Sequence, residues 1–153
     1  MWISPASPND PDSLELVRRH RAHSAEHSVN PADDHVLDIA DLTGPDVAFF
    51  GLRDGTGELL AVAALRHLSA DHAELKSMHT RSEARGRGLG RALLDHLMDE
   101  ARARGYTRLS LETGTQPGFA AARRLYASAG FTPCPPFGAY TATANNVYYT
   151  REL

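Results

Sequence analysis

The chain has 153 residues, a formal net charge of −3, 42% hydrophobic and 23% charged residues. This is the composition of one globular domain with a core of its own. The missing overall basic charge argues against nucleic acid and membrane surfaces as partners. Cys134 is the only cysteine, so an intramolecular disulfide is excluded and a cysteine-based zinc site is disfavoured.

No segment reaches the ~20 apolar residues of a membrane-spanning helix. The first twenty residues carry no apolar run of the signal-peptide kind. The expected location is the cytoplasm.

In chain order, Met1 to Ser4 reads as a short strand ahead of the proline-rich "SPASPNDPD". Asp10 or Asp12 can cap a helix running to about His27. A second short helix is expected from Asp33 to Leu42, closed by Gly44-Pro45. Val47 to Arg53 and Glu58 to Leu68 read as hairpin strands joined by the turn "DGTG". Ala73 to Thr80 is a third strand of that group.

The next helix is clearer. Leu89, Ala92, Leu93, Leu97, Met98 and Ala101 recur at helical spacing, with Arg91, Asp95, Asp99 and Arg102 opposite, and Gly105 ends the run. Arg108 to Thr113 alternates as a strand. Pro117 to Ala129 reads as a helix stopped by Gly130, with Phe131 free to fold back on its last turn. "TPCPP" bends the chain, and Asn146 to Glu152 forms a last strand. The pattern predicts an α/β fold, a mixed sheet with helices packed on it.

The informative segment is "RGRGLG", Arg85 to Gly90, between a strand and a helix N-terminus. Glycines let the backbone approach a ligand. The first helical turn offers unpaired N–H groups and the positive end of the dipole. Such a place binds phosphate, and Arg85, Arg87 and Arg91 can add charge-assisted bonds. The expected ligand is a phosphate or pyrophosphate, against the alternative of a solvated connecting loop. The G-x-G-x-G spacing fits a dinucleotide fingerprint poorly, and a Walker loop lacks its G-K-[ST] ending.

This hexapeptide resembles the R/Q-x-x-G-x-G/A signature of the GCN5-related N-acetyltransferase (GNAT) family. "ELKSMHT", "LETG", "LYASAGF" and "PFGAY" occur in that family's order and resemble a small bacterial-type subgroup, sometimes labelled indole-3-acetic acid acetyltransferase-like. The resemblance implies a sheet of about six to seven strands with about four helices. It also implies acetyl-CoA as co-substrate and an amine acceptor, with no metal. A dimer is common among such proteins. Indole-3-acetic acid has no aliphatic amine, so the label does not name an acceptor.

By the same resemblance, Met78, His79 and Thr80 end a splayed strand that pairs with the pantetheine arm, and an N–H near Met78 faces the oxyanion. Arg85, Gly86, Arg87, Gly88, Leu89, Gly90 and Arg91 hold the pyrophosphate. Tyr126 protonates the leaving sulfur. Phe119 stands where many relatives carry a pantetheine-contacting asparagine.

Glu74, Glu112 and His79 are three candidates for the general base. His20, His23 and His27 can share a helix face, with His35 beyond, and are expected to be surface or pocket-lining residues rather than metal ligands. Cys134 has no adjacent base to activate it. A non-catalytic acetyl-CoA sensor is the alternative; it would need the Arg-Gly loop but none of the catalytic side chains.

Overall fold

The computed structural model describes residues 1–33 and 39–153. Seven strands form one sheet: β1 (Trp2–Pro5), β2 (Val47–Arg53), β3 (Leu59–Ser69), β4 (His72–Thr80), β5 (Arg108–Gly114), β6 (Thr132–Cys134) and β7 (Asn146–Glu152). Their order is β1-β2-β3-β4-β5-β7-β6. Every neighbouring pair is antiparallel except β4 and β5. The helices are α1 (Pro11–His27), α2 (Ile39–Leu42), α3 (Leu89–Ala103) and α4 (Ala120–Ser128).

The expected mixed α/β sheet with flanking helices is therefore present, with two local differences. The helix expected over Asp33–Leu42 is a 3-10 turn at Pro31–Asp33 and a short α2; residues 34–38, with His35, lie outside the described residues. The "TPCPP" bend begins with β6, which pairs with β7 through Thr132, Pro133 and Cys134. An edge strand tolerates proline because its missing N–H can face away from the ladder.

The sheet separates two cores. Phe50, Ala61, Ala63, Leu65, Leu109 and Leu111 pack with Leu93, Leu94, Leu97 and Met98 of α3. Phe49, Val62 and Ala64 pack on the other face with Leu16 and Val17 of α1. Strand alternation sends Ala61, Ala63 and Leu65 one way and Val62 and Ala64 the other, so the first seven residues of β3 are all buried. Among the described residues, no helix is long and apolar enough to cross a membrane.

Helices α3 and α4 end alike. Gly105 and Gly130 take φ of 88°. Tyr106 N–H bonds Ala101 O and Phe131 N–H bonds Tyr126 O, the six-to-one bond of a Schellman stop. In α4 this brings the Phe131 ring to 6.0 Å from Tyr126, a hydrophobic contact that fixes the tyrosine.

Candidate active site

The parallel pairing of β4 and β5 is short. His72, Ala73 and Glu74 pair with Arg108, Leu109 and Ser110, and no pair follows although both strands continue. The strands part there, and the gap opens into a cleft of about 450 Å³.

A bulge in β4 sets what each side of the gap presents. Lys76 pairs with Ala64 and His79 with Val62, so Ser77 and Met78 both stand opposite Ala63. Ser77 absorbs the extra residue at φ 55°. Lys76 and His79 therefore share the α1 face with Val62 and Ala64, while Met78 packs in the α3 core. On β5, Leu109 and Leu111 fill the α3 core, so Ser110 and Glu112 face α1.

The α3 face of the cleft is made by the turn before α3. Gly86 and Gly88 have φ of 77° and 76°, and a Cβ added to either would meet nothing within 4 Å. The space in front of this backbone is thus open to a ligand. The first backbone bond entering α3 is Ala92 N–H to Gly88 O at 3.1 Å. The amides just before it have no helical acceptor. Gly90 does a different job: a Cβ there would sit 3.3 Å from Leu125 Cδ2, so its smallness lets α3 start against α4.

Arg85 donates from Nε to Thr80 O at 3.3 Å and makes no ion pair among the described residues. Arg91 bonds Asp95 at 3.0 Å and Ser128 O at 3.3 Å. Tyr126 is 7% exposed and its hydroxyl points at Met78 Sδ, 3.9 Å away. Burial pushes its phenol up to about 12.

The α1 face is polar. Tyr140 donates to Glu74 Oε2 at 2.8 Å and accepts from Lys76 Nζ at 2.9 Å. Glu74 and Lys76 are both buried, with Nζ 3.7 Å from Oε2. Burial raises the Glu74 carboxyl despite the Lys76 charge and the Tyr140 bond, which act the other way. Burial, followed by the neighbouring Glu74 carboxylate, raises the Tyr140 phenol. Glu112 is half-buried and accepts from Asn146 Nδ2 at 3.3 Å.

The imidazoles of α1 reach the same space. His20 and His79 meet edge-on at 5.5 Å, and His23 lies 6.4 Å from His79. Burial, then the Arg85 charge, pulls His79 down to about 4. Burial, then His79, pulls His20 to about 3. His23 and His27 pack around Phe119, and His23 Nε2 lies 3.3 Å from Gly118 O. A Cβ on Gly118 would strike the His27 ring at 2.2 Å, so this glycine lets α1 close on the turn before α4.

Known proteins share this architecture. Residues 14–131 match the model of the acetyltransferase (GNAT) family. The chain belongs to that family.

The uncharacterized N-acetyltransferase YsnE of Bacillus subtilis is 39% identical over 92% of this chain and 91% of its own. The IAA acetyltransferase of Azospirillum brasilense is 38% identical over 80% of each chain. A crystal structure of a putative acyl-CoA N-acyltransferase from Klebsiella pneumoniae superposes with a TM-score of 0.85 at 26% identity, covering 99% of this chain and 97% of that one. A GNAT acetyltransferase from Elizabethkingia anophelis, solved with acetyl-CoA bound, shares the fold at a TM-score of 0.72 and 16% identity, covering 99% and 97%.

The protein is an acetyl-CoA-dependent N-acetyltransferase, and a non-catalytic sensor is not favoured. The open backbone at Gly86 and Gly88, with Arg85 and Arg91 on the rim, fits the anionic end of acetyl-CoA.

Most of the residues picked from this acetyltransferase's sequence meet in the one cleft: Met78, His79, Thr80, Arg85, Gly86, Gly88, Leu89, Gly90, Arg91, Glu112, Phe119 and Tyr126. Two do not. Arg87 is exposed and does not line the cleft. Glu74 does not line the cleft; it sits 3.7 Å from Lys76, which does.

The sequence reading did not single out Lys76, Asn145 and Asn146, which line the cleft, or a role for Tyr140, which does not line it but bonds Lys76 and Glu74. Tyr140 was visible in "PFGAY" as part of a motif, without a role. Lys76 lay inside "ELKSMHT", but nothing local foretold the bulge that turns it together with His79. Of the α1 histidines, His20 and His23 line the cleft, whereas His27 does not and packs on Phe119 and Gly118. Among the described residues, no group of three His, Cys, Asp or Glu side chains is arranged to hold a metal ion.

Proposed function

We propose that the enzyme moves the acetyl group in one step from acetyl-CoA to an amine held on the α1 face of the sheet. The observation that carries this reading is the gap beyond Glu74 and Ser110, with Tyr126 on its α3 side and Glu112 on its α1 side. A co-substrate lying along one face can present its thioester through the opening to an acceptor on the other.

In this reading the amine nitrogen, once deprotonated, attacks the thioester carbonyl carbon. A C–N bond forms, the C–S bond breaks, and the sulfur leaves as a thiolate that takes one proton. Tyr126 supplies that proton. Its raised pKa keeps the phenol in its O–H form across neutral pH. The Met78 amide, freed from one-to-one pairing by the bulge, is assigned to the developing oxyanion.

Glu112 is assigned as the base, directly or through water. Among the described residues it is the carboxylate that lines the cleft, which Glu74 does not line. His79 also lines the cleft, but an imidazole pulled to about 4 is a weak base for an ammonium ion. A cytoplasmic site of action fits a chain whose single Cys134 is a free thiol.

The test is release of coenzyme A thiol from acetyl-CoA across a panel of amines, with acetylated product identified by mass spectrometry. Tyr126→Phe should lower turnover by roughly ten- to a thousandfold; an unchanged rate would remove its role as acid. Tight acetyl-CoA binding with no thiol release on any amine would restore the sensor reading.

A further inference from the structure

Tyr126 sends its hydroxyl to an uncommon partner. The side chain is buried, and among the described residues its hydroxyl bonds Met78 Sδ, at 3.9 Å. A buried tyrosine usually finds an oxygen or nitrogen for its O–H, whereas a thioether is a weak acceptor. The ring is fixed from behind by Phe131, folded back over the helix stop. The phenol is thus rigid at the ring and lightly held at the proton. Tyr126 and Met78 both line the cleft.

Met78 reaches this position through a strained backbone. Uninterrupted alternation along β4 would place residue 78 on the α1 face with Lys76. The bulge sends it to the α3 side instead. Ser77 takes φ 55° to make that bulge, a conformation that L side chains rarely adopt. Its hydroxyl is also buried with no hydrogen-bond partner among the described residues. Both features are unfavourable, and a glycine at this position would avoid both. Strain of this kind collects at functional sites. Besides freeing the Met78 amide, this bulge sets a sulfur atom opposite Tyr126.

We infer that the Met78 thioether is a positioning residue for proton transfer: it keeps the Tyr126 O–H aimed into the gap in the free enzyme and gives it up to the coenzyme's sulfur. A thiolate accepts a charge-assisted bond and outcompetes a thioether. As the C–S bond breaks, the proton passes from the phenol oxygen to the departing sulfur. The phenolate then regains a proton from solvent. An oxygen acceptor at position 78 would hold the hydroxyl back, and an alkyl side chain would leave it unaimed. The inference rests on the acetyltransfer reading above.

Two measurements on the full-length protein test it. The first needs no acceptor: calorimetry of coenzyme A against desulfo-coenzyme A, which lacks the sulfur. The wild type should favour coenzyme A by about threefold or more, the scale of one hydrogen bond. Both Y126F and M78Q should bring that ratio near one. The second is thiol release from acetyl-CoA with the panel amine that the wild type acetylates fastest. M78L should lower kcat by about three- to tenfold, and M78Q further, with acetyl-CoA affinity near wild type. Adding M78L to Y126F should change nothing, because the hydroxyl it would aim is already gone. Acetyl-CoA binding marks each variant as folded; if M78Q fails that check, M78L with and without Y126F decides.

A wild-type preference for coenzyme A retained in M78Q would overturn the inference and leave the acetyltransferase reading standing. So would M78L slowing Y126F as much as it slows the wild type, since that is the mark of packing alone. No thiol release from any amine, with acetyl-CoA still bound, would overturn both.

Discussion

The two faces of the gap between β4 and β5 are built on different principles. The α3 face offers backbone: open space before Gly86 and Gly88 and the uncapped start of α3, from one continuous hexapeptide. The α1 face offers side chains gathered from α1, β4, β5 and the segment leading into β7: His20, Lys76, Glu112 and Asn145, with Tyr140 bonded to Lys76 behind them. Backbone amides are the same whatever the residue, so a turn written in glycine suffices to hold a phosphate. An acceptor is selected by side-chain chemistry, so the α1 face can change without touching the coenzyme end. In the proposed reading, one sheet places coenzyme binding on one face and acceptor selection on the other.

The comparison breaks most readily at the glycines. Gly88→Leu should abolish acetyl-CoA binding, by at least about a hundredfold in calorimetry, because the side chain would enter the space the ligand needs. The left-handed φ of 76° adds roughly 1–2 kcal/mol of strain, which a folded domain can absorb. Retained affinity would contradict the assignment of this turn.

The next largest effect separates the two carboxylates. Glu112→Gln should lower kcat/KM by about a hundred- to ten-thousandfold while leaving acetyl-CoA affinity near wild type. Glu74→Ala should act on the fold instead, since it leaves Lys76 buried without its counter-charge. Breaking a buried pair from one side costs about 3–5 kcal/mol, which urea denaturation would register. If Glu74→Ala were stable and inactive while Glu112→Gln kept its rate, the roles would be reversed.

The same division explains what the sequence disclosed. The coenzyme end was legible because its chemistry is local: three glycines in five residues before an amphipathic helix state a conformation and a dipole together. Tyr126 was legible for a similar reason, since Gly130 and Phe131 announce the helix stop that pins it. The acceptor end depends on register. Glu74 and Lys76 look like an ordinary alternating pair, and only the pairing with Ala64 and Val62 reveals that two residues oppose one just beyond. Tyr140 reaches Glu74 across 66 positions, and no periodicity spans that distance. β6 escaped notice because three residues with a central proline form a strand only when β7 is there to pair with.

The smallest expected effect concerns stability and pH, and it probes how dry the α1 face is. His20 and His79 are held at about 3 and 4, mainly by burial, against 6.5 for a free imidazole. Between pH 6.5 and 4 the unfolded chain therefore binds more protons than the folded one, so these groups contribute stability above pH 6.5 that is lost as pH falls. His23, also lowered by burial, adds to this slope. Glu74 opposes it: its carboxyl is raised in the folded state, so its contribution is lost as pH rises through the folded value. Three imidazoles against one carboxylate leave the histidines in control. The melting temperature should drop by about a few degrees from pH 7 to pH 5, the scale at which one kcal/mol moves a domain of this size. His20→Asn should flatten that slope, because it removes one of the two most strongly shifted imidazoles. A melting temperature that held steady or rose toward pH 5 would mean that water reaches these rings, and the α1 face would then be as open as the coenzyme turn opposite it.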